Sequence, residues 1–258
     1  MPFDKGSLIF ANFTSKIKDT GDGVDSTIEE DAKKLGIHDP TRKYEPRLVA
    51  VGDSWVLQGV DEALAKADVG QKVSIEVSPE KGFGIRDPAK VRLTPLRRFG
   101  DKADQLSIGA EIEVDGRVGI VKLMGSGRVQ LDFNHRYAGK VLLYDIEVVK
   151  ALSNDDEKIK ALVHRRMPIE MDKVELTIEG NSVSMKLPND TYLLEGLQII
   201  KRAITNDIFK YIKNLEKVLF VEEYLSQKPK EQAKPEAKEE AKPEAKEEAK
   251  EVEEKAPS

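Results

Sequence analysis

Near the start of the chain apolar residues recur at every second position, Ile9, Ala11, Phe13 and Ile17, with Ser15 breaking the series. A period of two is that of a strand with one buried face. Gly21-Asp22-Gly23 makes a turn, and a short helix is predicted over about 28–35. Val49 and Val51 read as a strand ended by Gly52-Asp53. Gly59 to Ala67 reads as a short helix with Ala63, Leu64 and Ala67 inward, stopping before Gly70. Val73, Ile75 and Val77 alternate cleanly. Their predicted partner lies far along the chain, where Leu142, Tyr144, Ile146 and Val148 alternate in the same way.

Between those two strands the pattern is self-contained. Ile112 and Val114 lead into Asp115-Gly116, a strong hairpin signal. Val118 and Ile120 continue, Gly125-Ser126-Gly127 turns again, and Val129, Leu131 and Phe133 follow. This predicts a small all-β meander inserted between two strands of one domain. After Leu152 the pattern changes. Ser153-Asn154-Asp155-Asp156-Glu157 offers cap residues and first-turn acids for a helix carrying Ile159, Leu162 and Val163. Val174, Leu176 and Ile178 are expected to pair with Val183, Met185 and Leu187 across Gly180-Asn181. A helix from about Thr191 carries Leu193, Leu197, Ile200 and Ile204, and Val218 and Phe220 suggest a last strand. Two strands alone make a marginal sheet, so a homodimer through this region is one expectation; a monomer completed by the first helix and the last strand is the other.

Composition narrows the function classes. With 39% apolar and 34% charged residues and a net charge of −5, the chain has core-building capacity but no bulk basic signal for nucleic acid. Zero cysteines exclude a disulfide framework and thiol catalysis and fit a reducing, cytoplasmic setting. The N-terminal Met1-Pro2-Phe3-Asp4-Lys5 lacks the layout of a signal peptide, and no apolar run reaches the roughly 20 residues of a spanning helix. His38, His135 and His164 are scattered, so neither a metal site nor a cofactor is expected. No nucleophile-and-base pair is readable; Asp25, Asp61/Glu62 and Asp155/Asp156 are acids without a visible partner. The segment 227–258 repeats Ala-Lys-Pro-Glu-Ala-Lys-Glu-Glu at 233–240 and 241–248, and its composition predicts a disordered, solubilising tail, with a specific docking tail as the alternative.

What remains is a series of short motifs in order. Gly23-Val24-Asp25-Ser26-Thr27 is followed by Tyr44-Glu45-Pro46-Arg47-Leu48-Val49-Ala50-Val51-Gly52, then by Val56-Leu57-Gln58-Gly59-Val60-Asp61-Glu62-Ala63-Leu64, Val69-Gly70-Gln71-Lys72 and Gly82-Phe83-Gly84. The series resembles the FKBP-type prolyl isomerases over roughly residues 6–150. The insert and its exit, Asn134-His135-Arg136-Tyr137-Ala138-Gly139 and Tyr144-Asp145-Ile146-Glu147-Val148-Val149, resemble the SlyD-like, long archaeal-type members with an insert-in-flap domain. Residues 155–225 resemble the C-terminal domain of larger archaeal members.

The resemblance implies an α+β fold: an FKBP half-barrel of antiparallel strands around a short helix, with an inserted small all-β domain, a C-terminal α+β domain and the charged tail. The expected domains are 1–87 plus 134–152, 88–133, 153–226 and 227–258. It implies isomerisation of X–Pro bonds in unfolded or proline-containing protein clients, with holdase activity in the insert. The alternatives are a non-catalytic chaperone or a scaffold recruited through the C-terminal part. Asp25, Tyr144 and Phe83 would be catalytic, and Phe13, Val24, Val56, Leu57, Val60 and Tyr137 would bind substrate. Arg47 stands where short members carry an aromatic flap residue, Val60 where they carry a floor tryptophan, and Phe83 lacks the hydroxyl of their Ala-Tyr-Gly. Trp55 is expected to pack in a strand, and His135 to be a structural hydrogen-bonder.

Overall fold

The computed structural model describes residues 3–224. The chain opens with β1 (Leu8–Ile17), β2 (Gly23–Ser26), α1 (Glu29–Lys34), β3 (Arg47–Ala50), α2 (Gln58–Leu64) and β4 (Lys72–Val77). Then come β5 (Val91–Pro95), β6 (Glu111–Val114), β7 (Arg117–Gly125) and β8 (Arg128–Asp132), before β9 (Leu142–Ala151). β9 enters the first sheet between β1 and β4, in the order β2-β1-β9-β4, with β3 pairing the first half of β1. Every pairing in this sheet is antiparallel. The long-range pair expected from the alternation forms in full: Val77 faces Leu142, Ile75 faces Tyr144 and Val73 faces Ile146.

The physical cause is one apolar face. Ile9, Ala11, Phe13 and Ile17 of β1 and Leu142, Tyr144, Ile146 and Val148 of β9 are buried together with Val60 and Leu64 of α2. α2 lies close on the sheet because Gly59 has no Cβ, which would sit 2.9 Å from Val77 Cγ1. A crossover of this tightness leaves room for no other residue without movement of β4.

β5 to β8 form a second, antiparallel sheet in the order β5-β8-β7-β6 around Val121, Val129 and Leu131. Its two tight turns, Asp115-Gly116 and Ser126-Gly127, have positive φ at both residues, as a type I′ hairpin requires. β5 is absent from the sequence expectation for a reason. Its alternation is inverted, with Leu93 61% exposed and Thr94 buried, so an apolar-inward pattern does not find it.

α3 (Asp155–Arg166) starts on Asn154, whose side chain accepts from Asp156 N at 2.9 Å. β10 (Glu175–Glu179) and β11 (Ser182–Lys186) form the expected hairpin; α4 (Leu197–Tyr211) follows, and β12 (Lys217–Val221) joins β11 in parallel. The helix expected from Thr191 starts six residues late. Asn189–Leu193 is a separate 3-10 turn, Gly196 has φ +73°, and Leu193 is 92% exposed rather than on the buried stripe. The sheet here has three strands, and Leu197, Ile204 and Ile208 of α4 are buried against α3 and the sheet. The two-stranded shortage that called for a second copy is met within the chain.

The described residues up to Glu223 belong to one compact unit. Leu8, Leu48 and Ala50 of the first sheet, with Leu152 just past β9, share a core with Ile159, Leu162, Val163, Ile204 and Ile208. Trp55 belongs to this seam and to no strand. Its ring meets Tyr211 edge-on at 5.4 Å and carries the Arg165 guanidinium at 3.7 Å. The architecture is thus a mixed α+β fold of almost wholly antiparallel sheets. The tail at 227–258 lies outside the described residues.

Candidate active site

Three neighbouring strands build the site as a row. Tyr144 on β9 faces Ser15 on β1, and Ser15 faces Asp25 on β2. Directly opposed residues point to the same face of a sheet, so Tyr144 and Asp25 flank one small side chain. Ser15, which broke the apolar series, is wholly buried, and its hydroxyl donates to Asp25 O at 3.1 Å. It also hydrogen-bonds the Tyr144 hydroxyl. A larger residue would force the Tyr144 ring and the Asp25 backbone apart.

Phe13, one pleat along β1, sets its ring 6.3 Å from that of Tyr144, tilted 50°. The Arg47 guanidinium covers the Phe13 ring at 4.7 Å and reaches Asp25 Oδ2 at 3.3 Å. Arg42 donates to Asp25 Oδ1 at 2.7 Å. The carboxylate is thereby anchored from two sides, and a cation fills the wall expected to be aromatic. Burial, and the Asp25 charge, push the Tyr144 hydroxyl above the ordinary tyrosine range, against the Ser15 hydrogen bond and Arg47. At neutral pH it is a proton-bearing donor.

The other wall comes from α2 and its lead-in. Asp61 is buried and accepts from Gly52 N at 2.8 Å and Ser54 N at 3.2 Å, pinning the turn that delivers Val56 and Leu57. Val60, on the first turn of α2, is buried in the same cluster as Phe13 and Tyr144. Val24, Val56, Leu57, Phe83 and Tyr137 are half-buried around it.

The lip is aromatic. Gly84 O receives Gly139 N at 2.8 Å, which draws the Phe83 loop beside the exit of the second sheet. Phe83 lies 5.3 Å from Tyr137 and stacks on His135 at 4.3 Å. His135 Nδ1 also accepts from Tyr137 N at 3.3 Å, in keeping with a structural role. The exit is tied to the entry: Asp87 N donates to Asn134 Oδ1 at 2.9 Å, and Asn134 Nδ2 donates to Asp132 Oδ1 at 2.7 Å. Arg86 reaches Asp132 Oδ2 at 2.7 Å. Burial opposes the Asp132 charge, yet Asn134 and Arg86 together hold its carboxyl below the ordinary range.

Such a site has an apolar floor, a neutral phenol and an anchored carboxylate. Among the described residues no group of His, Cys, Asp and Glu is placed to hold a metal ion. A family model for the FKBP26 C-terminal region matches residues 155–225, and one for the FKBP26 IF domain matches residues 92–137. A short-type peptidyl-prolyl cis-trans isomerase of Methanocaldococcus jannaschii is 33% identical over 144 residues, covering 56% of this chain and 90% of that protein. The chain belongs to the FKBP-type peptidyl-prolyl cis-trans isomerases. A probable FKBP-type 16 kDa isomerase of Pseudomonas fluorescens is 32% identical over 142 residues, 52% of this chain and 83% of that one. SlyD of Helicobacter pylori is 24% identical over 143 residues, 53% and 77%.

Eight of the nine residues singled out in the sequence, Phe13, Val24, Val56, Leu57, Val60, Phe83, Tyr137 and Tyr144, share one apolar cluster, and Asp25 stands beside it across Ser15. The sequence reading missed Ser15, Arg42 and Asp61. Ser15 left a signal, a polar residue at an inward strand position. Arg42 and Asp61 left none, because their partners, Asp25 and the turn at 52–54, are defined only by the fold.

Proposed function

We propose that this FKBP-type isomerase acts on X–Pro bonds of unfolded or partly folded proteins at the pocket lined by Phe13, Val56, Leu57, Val60, Phe83 and Tyr144. The observation that carries the reading is the row Tyr144–Ser15–Asp25, which sets two polar groups at the edge of an apolar floor. The chemistry asks for no more. Rotating a peptide bond costs about 18–20 kcal/mol of lost amide resonance, and uncatalysed X–Pro exchange takes on the order of tens to hundreds of seconds. The twisted amide is less polar than the planar one, so a dry floor disfavours the ground state more. Each ~1.4 kcal/mol removed gives tenfold in rate. Tyr144 and Asp25 orient the peptide; neither transfers a proton.

The sheet of β5–β8 supports a second role, holding extended client segments. Leu93, Val118 and Leu123 are exposed on it, and β5 and β6 present free edges suited to strand addition. In proline-limited refolding of a model protein, sub-stoichiometric enzyme should accelerate the slow phase. Replacing 88–133 by a short loop should cut that acceleration sharply while sparing tetrapeptide turnover. No acceleration at any concentration would end the first reading, and equal losses on both substrates the second.

Pairing of two copies through the C-terminal part is the partner reading favoured by Leu193 and by Ile199, 77% exposed at the start of α4. Light scattering should give about twice the monomer mass; a monomer at tens of micromolar would remove it.

A further inference from the structure

Behind the Arg47 wall lies a cleft of about 340 Å³ between β3 and the end of α3. Arg42, Lys43, Arg47 and Arg165 line it with His164, and Glu45 is the one carboxylate in its lining. Two of the acids nearby each serve two basic side chains. Asp25 serves both Arg42 and Arg47. Glu45 serves Lys43 at 2.9 Å and His164 at 2.7 Å, and Glu170 at the rim reaches only Lys43. Asp207 is 2.7 Å from Arg166 but 3.9 Å from Arg165. Arg165 therefore keeps a largely unmatched charge over the face of Trp55. Burial and the neighbouring Arg166 pull its pKa down, the expected response of an under-compensated cation.

Arg47 belongs to both places. One face of its guanidinium lies on Phe13 in the pocket, and the side chain lines the cleft. A peptide held beside Phe13 and Arg47 thus has the positive, water-accessible cleft, of side-chain size, on the far side of Arg47.

We propose that this cleft is a subsite for an acidic side chain flanking the client's proline, with Arg47 as the residue that couples it to the pocket. The inference rests on the pocket assignment above. A carboxylate entering here adds a second acceptor for guanidinium and ammonium donors that now share theirs. The selectivity this gives is of the size of one partly exposed charge-assisted contact.

The test is a set of proline peptides with Glu, Gln or Lys at each of three positions on either side of the proline, isomerisation being followed by NMR exchange. At one or more positions kcat/KM for Glu should exceed that for Gln by about two- to fivefold, with Lys lowest. The Glu-to-Gln ratio should shrink with added salt. It should fall towards one in Lys43→Gln and in Arg165→Gln and rise in Glu45→Gln. A ratio between two peptides on the same variant is insensitive to general loss of folded enzyme. Turnover of all peptides with no Glu preference at any position would overturn the subsite and leave the pocket standing. A Glu preference unchanged in all three variants would also overturn it. Absence of turnover of every peptide would overturn both.

Discussion

Tyr144 keeps its proton across the pH range in which free tyrosine begins to lose it, because burial and the Asp25 charge raise its ionisation. If the phenol works as a donor, kcat/KM should stay flat through pH ~10, the ordinary tyrosine value, and Tyr144→Phe should lower it about three- to tenfold at unchanged melting temperature. Asp25→Ala should do the same by freeing Arg42 and Arg47. Full activity in both variants would remove the row from the mechanism. At this scale the sequence was legible in proportion to how far each role depends on residue type. Phe13 and Tyr144 stood out by strand spacing and by family motif, and Val60 by the motif alone. The work of Ser15 depends on facing Tyr144 and Asp25 at once, a fact of register that neither neighbour's position along the chain discloses.

Among the elements, the alternating strands of the first sheet were readable because one face is buried along their length. β5 and the onset of α4 were not. β5 turns Leu93 outward and Thr94 inward, while Gly196 in a left-handed conformation ends one turn and begins a helix without breaking the apolar count. The second sheet hangs on the polar knot of Arg86, Asp87, Asp132 and Asn134. Its acid dependence has a definite sign. A carboxyl whose folded pKa is depressed contributes stability that is complete above its unfolded value, ~3.9, and is lost as pH falls through the lower folded value. The protection of amides in residues 91–132 against exchange, relative to their intrinsic rates, should therefore fall below about pH 4. Asp132→Asn should destabilise that sheet by about 1 kcal/mol at neutral pH, since the buried carboxylate loses its charge-assisted bonds to Asn134 and to the half-exposed Arg86, and should abolish the acid step. An acid step that persists in the variant would assign it elsewhere.

In the whole molecule, the catalytic sheet and the C-terminal part share a core through Leu8, Leu48, Ala50 and Leu152. A chain cut after Leu152 would present that apolar face to water. We expect such a truncation to melt several degrees lower and to aggregate, and the intact chain to unfold its catalytic and C-terminal parts in one transition; separate transitions for the two would contradict the shared core. The strand order carries a further consequence, for synthesis. β9 fills the centre of its sheet, yet it is the last of that sheet's strands in the chain. At about 5–20 residues per second, β1 to β4 leave the ribosome and wait on the order of several seconds for their middle strand. In that interval the local hairpins of β6, β7 and β8 can close on their own. A prolyl isomerase thus has a pause written into its own folding, and any holdase that covers Ile9, Phe13 and Val77 during it should raise the yield of active enzyme.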